Sequence, residues 1–486
     1  MNSGRGPSRF RKIPDVKGSA AILFLFGLAA EMFAQPLRRL NLNSSSNHQI
    51  IVTWPYTNAG FTFQEAKAIS WATNWQVSTL APVFDSNKVQ FSVSAPATNA
   101  ETFFRLQQPG DLRGIYVYAP LGGGPNNPVD AIITNAINVP GVDGMLIVGL
   151  WSDLETNFNH YDWSHLDIWM NYAAARNKKV TLAIRAGDGI PDWLYLPPPN
   201  GAGATRLDFT ISPKDGKTTN CQPDTIAIPW EPAFQTHWSA LLANVAAHLK
   251  SQGTYSNLTL LRLTGINRTS DELRLPAETP YTNNVNGTGL PCVSDAPAIW
   301  QANGYTPAKL LSAWSNIVAS FNANFPDKTF CVAIIPNPPQ LPFPPIDDNG
   351  NLIPITNTIP DQNQPLLQLS SRMIPGRFVV QFNFLMTSNT ANPAVSAAAA
   401  SYGTLTAFQV NNWYGSSGSA SSACGGTVNQ PTPCDDASYL DLLQRGIYPL
   451  GQTNPLRSQY LEVWATNAIT FTNAIWQAHQ EILGMP

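Results

Sequence analysis

Eight short apolar runs, spread between residues 112 and 470, constrain the fold of this chain more than any other feature. They are rich in Val, Ile, Leu, Phe and Tyr and too short for ordinary helices, so each predicts a strand. Most of the segments between them have helical spacing, as in Leu166, Trp169, Met170 and Ala173 or in Trp238, Leu241, Leu242 and Val245. The runs cover residues 114–118, 144–150, 179–184, 258–263, 329–335, 377–384, 405–410 and 459–463.

This alternation of strands and helices predicts a parallel sheet covered by helices, in the α/β class. Eight such units fit the size of a (β/α)8 TIM barrel with insertions over residues 112–486. The alternative is an open doubly wound sheet, which would need a ligand crevice where the strand order reverses. No dinucleotide-type phosphate turn follows the first run, so the barrel is favoured.

The composition excludes some partners. A net charge of -3 gives no electrostatic footprint for nucleic acid. Charged residues make up 12% of the chain, about half the usual share. The surface that contacts water must therefore be made largely of Asn, Thr, Ser and Gln. Such a surface fits an extracellular protein that binds neutral polar ligands. The composition does not indicate an oligomeric state.

The N-terminus predicts export. A basic leader with Arg5, Arg9 and Arg11 precedes an apolar run at 20–30, and Ala34 stands before Gln35. This is the pattern of a signal peptide over residues 1–34, cleaved near Ala34. The apolar run is too short for an ordinary membrane span, so we expect no span after cleavage. The chain is therefore expected to be secreted, periplasmic or on the cell surface.

Residues 48–107 have a different pattern, typical of half-buried strands, and predict a small antiparallel β-sandwich. This segment resembles short immunoglobulin-like modules of secreted proteins from environmental bacteria. Trp54 and Trp75 could bind carbohydrate there, but packing in the core explains them at least as well. Residues 107–113 are predicted to link this module to the barrel.

The chain has five cysteines and six scattered histidines. Cys424 and Cys434 flank a short loop and are expected to form a disulfide. Cys221 and Cys292 lie before and after the fourth strand and are expected to pair at the same rim. Cys331 is expected to be a buried free thiol. No CxxC or His/Cys cluster is present, so neither a metal nor another cofactor is expected.

The second and third strands carry a resemblance to a known class of enzymes. Trp151 and Glu155 follow strand two, a Tyr161-Asp162-Trp163 segment opens the next helix, and strand three leads into Pro191-Asp192-Trp193-Leu194. This pattern resembles the barrel of retaining glycoside hydrolases, notably β-galactosidase-like and cellulase-like members. The resemblance covers residues 112–482 by strand order and is most specific over 142–194. It implies hydrolysis of O-glycosidic bonds in a polysaccharide or oligosaccharide by two carboxyl groups.

The chain departs from that class at its catalytic positions. The class places its acid after an Asn at the end of strand four, and its nucleophile at the end of strand seven. Asn267 is matched, but Arg268 stands where the acid would be, and Gln409 takes the nucleophile's place. We therefore expect Glu272 and Glu462 to replace them. The alternatives are a salt bridge from Glu462 to Arg185 or Arg268, and a solvated Glu272 that pairs with Arg274.

Further rim residues are expected to bind the sugar, through hydroxyl contacts or by stacking of tryptophans on pyranose faces. One or two of the tryptophans are expected to pack in the core instead, Glu155 to shape its loop, and Asp188 to hold a turn. Long insertions at 196–225, 276–297 and 336–365 would wall the cleft. The predicted binding residues are Trp151, Glu155, Arg185, Asp188, Trp193, Asn267, Arg268, Gln409, Asn411, Trp413 and Trp464.

Two other functions remain open. A barrel that has lost its catalytic carboxyl groups would bind glycans without cutting them, and Arg268 and Gln409 favour this reading. A cell-surface adhesion or scaffold protein would instead bind through the N-terminal module. For a hydrolase, a separation of about 5 to 5.5 Å between the two carboxyl groups predicts retention of configuration, and about 6.5 to 9.5 Å predicts inversion.

Overall fold

The structure is a computed structural model, and the described residues have several gaps. The predicted signal peptide, Trp75, Cys221, Cys292, Asn411 and Trp413 lie outside them. The structure describes residues 40–44, 49–55, 62–66, 76–78, 80, 82–85, 88, 90–96, 103–107, 112–118, 131–211, 222–278, 294–334, 341–354, 362–386, 404–410, 424, 434–451 and 457–484.

The chain divides into two compact units, with a boundary after Gln107. The first unit has two antiparallel sheets, in the orders β1-β2-β6-β5 and β4-β3-β7. Its strands are β1 (Asn41–Ser44), β2 (Gln49–Pro55), β3 (Thr62–Ala66), β4 (Gln76–Val77), β5 (Val83–Asp85), β6 (Gln90–Pro96) and β7 (Phe103–Gln107).

Trp54 of the first unit is a core residue. Its ring stacks on Phe63 at 5.3 Å and on Phe91 at 5.7 Å between ring centroids. Since only 2% of Trp54 is exposed, packing rather than sugar binding explains this tryptophan.

The second unit contains a closed barrel of eight parallel strands, which confirms the predicted (β/α)8 fold. All eight predicted runs form these strands, and each lies beside its neighbours in the chain. Barrel strands one to eight are β8 (Gly114–Tyr118), β9 (Val142–Leu150), β12 (Lys179–Arg185), β15 (Leu258–Arg262), β16 (Thr329–Ile334), β17 (Phe378–Leu385), β18 (Leu405–Val410) and β19 (Tyr460–Trp464).

Helices cover the outside of the barrel. The predicted apolar faces are buried in the hydrophobic core: Leu166 and Met170 on one helix, and Trp238 and Leu242 on another. The helices are α1 (Ala131–Ile137), α2 (Trp151–Leu154), α3 (Ser164–Ala174), α4 (Pro232–Ser251), α5 (Ala296–Ala302), α6 (Pro307–Asn324), α7 (Gln364–Met373), α8 (Asp436–Ile447), α9 (Ala465–Thr470) and α10 (Thr472–Leu483), with short 3-10 turns at Asp192–Tyr195 and Tyr255–Asn257.

The insertion after barrel strand three contains an antiparallel hairpin of β13 (Arg206–Ile211) and β14 (Gln222–Ala227), where the sequence predicts only a loop. Alternation explains it, since Leu207 and Phe209 are buried on one face. A shorter antiparallel pair, β10 (Glu155–Asn157) with β11 (His160–Tyr161), follows barrel strand two.

The predicted disulfide between Cys424 and Cys434 is confirmed. Cys331 is a buried free thiol, and burial raises its pKa to about 12. In the part of the chain that the structure describes, no helix has the length and apolar character needed to cross a membrane.

Candidate functional site

An ion pair lies inside the barrel. Arg262 ends barrel strand four and Glu462 lies in barrel strand eight, and both side chains are fully buried. These strands are four apart in a closed ring of eight and therefore face each other across the interior. The Arg262 guanidinium donates to Oε2 of Glu462. Burial disfavours the charge on Arg262, but Glu462, Cys331 and Tyr460 together outweigh this effect and raise the arginine's pKa.

Three further donors satisfy the Glu462 carboxylate. The side-chain amides of Gln381 and Gln409 donate to Oε2 at 2.8 Å and 2.9 Å. The Tyr460 hydroxyl donates to Oε1. The predicted alternatives, Arg185 and Arg268, are wrong as ion-pair partners, because Arg262 pairs with Glu462 while Arg185 and Arg268 pair with other carboxylates. Gln409 also points to Glu462 rather than to solvent.

Glu462 has no exposed surface. A carboxylate that is closed off from solvent and held by four donors is stabilised where it lies. The geometry therefore favours a structural role for Glu462 over the predicted catalytic one.

Glu272 reaches the mouth through an excursion of the chain. Arg262 pairs with Cys331 of barrel strand five, and the chain then leaves the sheet and returns where Glu272 pairs with Ala333. The Leu273 amide donates to the Ala333 carbonyl at 2.8 Å. In unbroken parallel pairing, residue 264 would stand opposite Ala333. Glu272 thus takes the place of the next inward residue of barrel strand four.

Asn267 holds this excursion together. Its Oδ1 accepts from the amides of Gly265 at 3.2 Å and Ala186 at 3.1 Å, and its Nδ2 donates to the Ser270 carbonyl at 2.9 Å. With these bonds and an exposure of only 1%, Asn267 shapes the loop instead of meeting a sugar as predicted.

Glu272 is half-buried and ionised. The Asn383 side chain on barrel strand six donates to its Oε1 at 3.0 Å. Burial opposes ionisation, but Arg274, Ser270 and Asn383 together lower the pKa of Glu272. The alternative of a solvated Glu272 paired with Arg274 is therefore only half met. The charge of Arg274 does act on Glu272, but Glu272 is a half-buried carboxylate at the barrel mouth.

Tyr118 and Trp464 complete the same mouth. Tyr118 ends barrel strand one; its pKa is raised by burial and then by the nearby charge of Glu272. Its ring meets the Trp464 ring edge-on at 4.6 Å between centroids. Trp464 is half-buried, and its Nε1 donates to the Val410 carbonyl at 2.8 Å. Trp464 therefore keeps a partly open face where it was predicted to bind.

Trp151, Trp193 and Glu155 lie in the core instead of at an open rim. Trp151 and Trp193 are 0% and 5% exposed, so neither has a free face for stacking. The Trp151 Nε1 donates to a Glu155 carboxylate oxygen at 2.9 Å, and the Trp193 Nε1 donates to the Glu155 carbonyl at 3.1 Å. Burial raises the pKa of Glu155. Binding through these three residues is not supported, whereas loop shaping by Glu155 is.

Arg185 and Arg268 are engaged by carboxylates at the rim. Arg185 donates to both oxygens of Asp188 at 2.9 Å. Arg268 donates to Asp224 on the inserted hairpin at 3.1 Å and also pairs with Glu278. Arg268 thus ties the hairpin to the loop after barrel strand four, which accounts for its burial without a sugar. Asp188 is exposed, and its ion pair with Arg185 lies at the rim.

Several residues of this network are not among the predicted site residues: Tyr118, Arg262, Asp271, Gln381 and Asn383. The sequence does carry a signal for some of them. Arg262 interrupts an otherwise apolar strand, and Gln381 and Asn383 alternate with phenylalanines in barrel strand six. A polar residue at every second position of a barrel strand points into the barrel.

Among the described residues, no group of three or more His, Cys, Asp or Glu side chains is placed to hold a metal ion.

No protein-family model matches this chain, and no curated protein matches its sequence. Solved structures of similar fold include the catalytic domain of β-amylase from Paenibacillus polymyxa, at 13% identity and a TM-score of 0.47, covering 77% of this chain and 99% of that one. An intracellular xylanase from Thermoanaerobacterium saccharolyticum in complex with xylotriose is 12% identical, with a TM-score of 0.40, and covers 73% of this chain and 86% of that one. A β-galactosidase from the psychrophilic Marinomonas ef1 is 10% identical, with a TM-score of 0.41, and covers 76% and 59% of the two chains. At these identities and TM-scores the likeness assigns neither an activity nor a site residue to this chain.

Proposed function

We propose that this protein is a secreted, glycoside hydrolase-like barrel that binds a polysaccharide or oligosaccharide at the mouth around Glu272. The observation that carries the proposal is the return of the chain after barrel strand four, which sets Glu272 beside Ala333. This return places an ionised carboxylate at the C-terminal end of the strands, where barrel proteins hold their ligands.

The mouth offers the contacts that a neutral sugar needs. Sugar hydroxyls donate to carboxylates and exchange hydrogen bonds with phenols, which Glu272 and Tyr118 supply. Pyranose rings also have apolar C–H faces, and the half-buried Trp464 offers an aromatic surface for one of them. The low share of charged residues in the chain agrees with a neutral ligand.

Hydrolysis is the second candidate, because Glu272 stands at the end of barrel strand four, where the resembling hydrolases keep their acid. Two points weigh against the predicted pair. Glu462 is closed off by Arg262, and the lowered pKa of Glu272 suits an ionised acceptor or base rather than a proton donor. We therefore rank binding without cleavage by Glu272 and Glu462 above hydrolysis by this pair.

Binding and cleavage can be measured on the same samples. The purified protein would be titrated with soluble xylan, galactan, starch and a β-glucan by calorimetry, and each mixture would be assayed for new reducing ends. We expect binding to at least one glycan, weakened about tenfold or more in Glu272→Gln, since a hydrogen bond to a charged group contributes about 1.5–3 kcal/mol. Glu481→Gln on α10 is the matched control and should bind like the wild type.

The outcomes separate the candidates. New reducing ends that disappear in Glu272→Gln would favour hydrolysis. Binding that is the same in Glu272→Gln and in the wild type would remove the barrel mouth as the binding site.

A further inference from the structure

Glu462 is connected to Glu272 by two separate routes through the barrel. The first runs through Arg262, whose guanidinium pairs with both Glu462 and Asp271. Asp271 directly precedes Glu272 in the chain, and its side chain is only 5% exposed. The pair between Arg262 and Asp271 therefore fixes the end of the excursion from which Glu272 projects.

The second route runs through side-chain amides on barrel strand six. Gln381 Nε2 donates to Glu462 at 2.8 Å and to Oδ1 of Asn383 at 2.9 Å. Asn383 Nδ2 then donates to Glu272 at 3.0 Å. Because its oxygen accepts from Gln381, the Asn383 amide has its nitrogen turned toward Glu272.

Both routes begin at Glu462 and end at Glu272 or at its chain neighbour Asp271. Arg262, Gln381 and Asn383 are exposed by 0%, 0% and 4%, so each needs its partners inside the protein. Removal of the Glu462 charge would leave Arg262 with one anion instead of two and would weaken the bond that Gln381 donates to this side chain, because a neutral amide oxygen is a poorer acceptor than a carboxylate. A buried network with one unsatisfied member loses order at the groups that depend on it.

We propose that Glu462 is a positioning residue: through Arg262–Asp271 and through Gln381–Asn383 it fixes the place of Glu272 at the barrel mouth. This role rests on the proposed function only in giving Glu272 a task. It differs from the predicted catalytic role because Glu462 acts without touching a saccharide.

The test uses two readouts that need no ligand, on the full mature chain. One is the exchange rate of the Leu273 amide, which bonds to the Ala333 carbonyl. The other is the pKa of Glu272, followed by carbon NMR of labelled glutamate and assigned with Glu272→Gln. In Glu462→Gln we expect Leu273 protection to fall by about tenfold or more, and the pKa of Glu272 to change, because the Asn383 bond that lowers it is weakened.

Glu481→Gln is again the matched control, since it makes the same chemical change on α10. If Glu462→Gln does not fold, Asp271→Asn cuts the first route alone and should give a smaller change in the same direction for Leu273. The proposal would be overturned if, in the folded variants, the Leu273 exchange rate stayed within twofold of the wild type and the pKa of Glu272 did not change.

The failure of this inference is distinguishable from that of the proposed function. A wild type that binds no glycan, with Leu273 and Glu272 still responding to Glu462→Gln, would remove the glycan and leave the positioning role intact. Loss of glycan cleavage in Glu462→Gln with unchanged Leu273 exchange and unchanged Glu272 pKa would instead assign Glu462 to catalysis and overturn the positioning role.

Discussion

At the scale of single residues, the barrel interior contains an arginine that most proteins would expose. Arg262 is stabilised there because Glu462 and Asp271 both pair with it. A buried ion pair adds little net stability compared with apolar residues of the same size, but the loss of one partner leaves an uncompensated charge. The cost of a substitution at this place therefore depends on which charges remain.

Arg262→Met is expected to lower the free energy of unfolding by about 3–5 kcal/mol, because Glu462 and Asp271 lose their cation. The double variant Arg262→Met with Glu462→Leu should recover part of this loss, since it removes one stranded anion as well. Urea unfolding followed by circular dichroism measures both. A single variant as stable as the wild type would mean that these charges are not coupled in solution.

The pKa shifts of carboxyl groups near the rim predict how the stability of the folded protein changes with pH. Burial would raise the pKa of Glu278, but Arg268 and backbone hydrogen bonds together outweigh burial, and the pKa of Glu278 lies below the ordinary 4.5. A lowered folded-state pKa contributes stability that is present above the ordinary value and is lost as the pH falls through the lowered one. Glu155 and Asp224 affect stability in the opposite direction, because burial raises the pKa of both.

A comparison of variants isolates one of these groups. Between about pH 5 and pH 3, the urea midpoint of the wild type should fall more steeply than that of Glu278→Gln, which lacks the titrating group. The two proteins should have parallel pH profiles above about pH 6. Equal slopes in the acidic window would show that Arg268 does not stabilise Glu278 in solution.

At the scale of elements, two rim loops are in backbone contact. The Asp188 amide, after barrel strand three, donates to the Arg268 carbonyl, after barrel strand four, at 2.9 Å. Gly187 makes this approach possible, because a Cβ atom there would lie 1.7 Å from the same carbonyl oxygen. The loop that presents Glu272 thus depends on a glycine in the adjacent rim loop, after barrel strand three.

Gly187→Ala is expected to separate these loops, with a loss of about 1–3 kcal/mol in stability and weaker glycan binding. Gly149→Ala is a suitable control, since a Cβ there would meet Leu154 at an ordinary 3.6 Å. Thermal unfolding and calorimetric titration would be compared for the two variants. Glycan binding that survives in Gly187→Ala would show that the mouth does not need this loop contact.

At the scale of the whole molecule, the contributions of the two compact units to glycan binding can be tested separately. The groups proposed to bind a sugar all belong to the second unit, whereas Trp54 of the first unit is buried among phenylalanines. A glycan-binding barrel and an adhesion module therefore differ in which unit carries the affinity.

A chain that lacks residues 35–110 is expected to keep the dissociation constant of the full chain, within about threefold, for the glycan that the full chain binds. A difference of that size is below about 1 kcal/mol. Calorimetry on both chains measures it, and circular dichroism checks that the shortened chain is folded. Binding lost together with residues 35–110 would favour the adhesion reading over the barrel mouth.

The sequence by itself determined the barrel and most of its outer layer. Eight apolar runs with helical segments between them can bury their surface only as a parallel sheet under helices, and this pattern is local and periodic. The pair Cys424–Cys434 was predictable for a similar reason, because a short loop keeps the two thiols near each other.

Only the tertiary structure decided which polar residues share a space. Glu462 meets Arg262 across 200 positions of the chain. On sequence grounds Arg185 and Arg268 were equally good candidates for this partner. Glu272 reaches the mouth because the chain leaves barrel strand four and returns in register beside Ala333. Strand patterns report which face a side chain takes, whereas closure of the ring determines what stands opposite it, and that depends on all eight strands together.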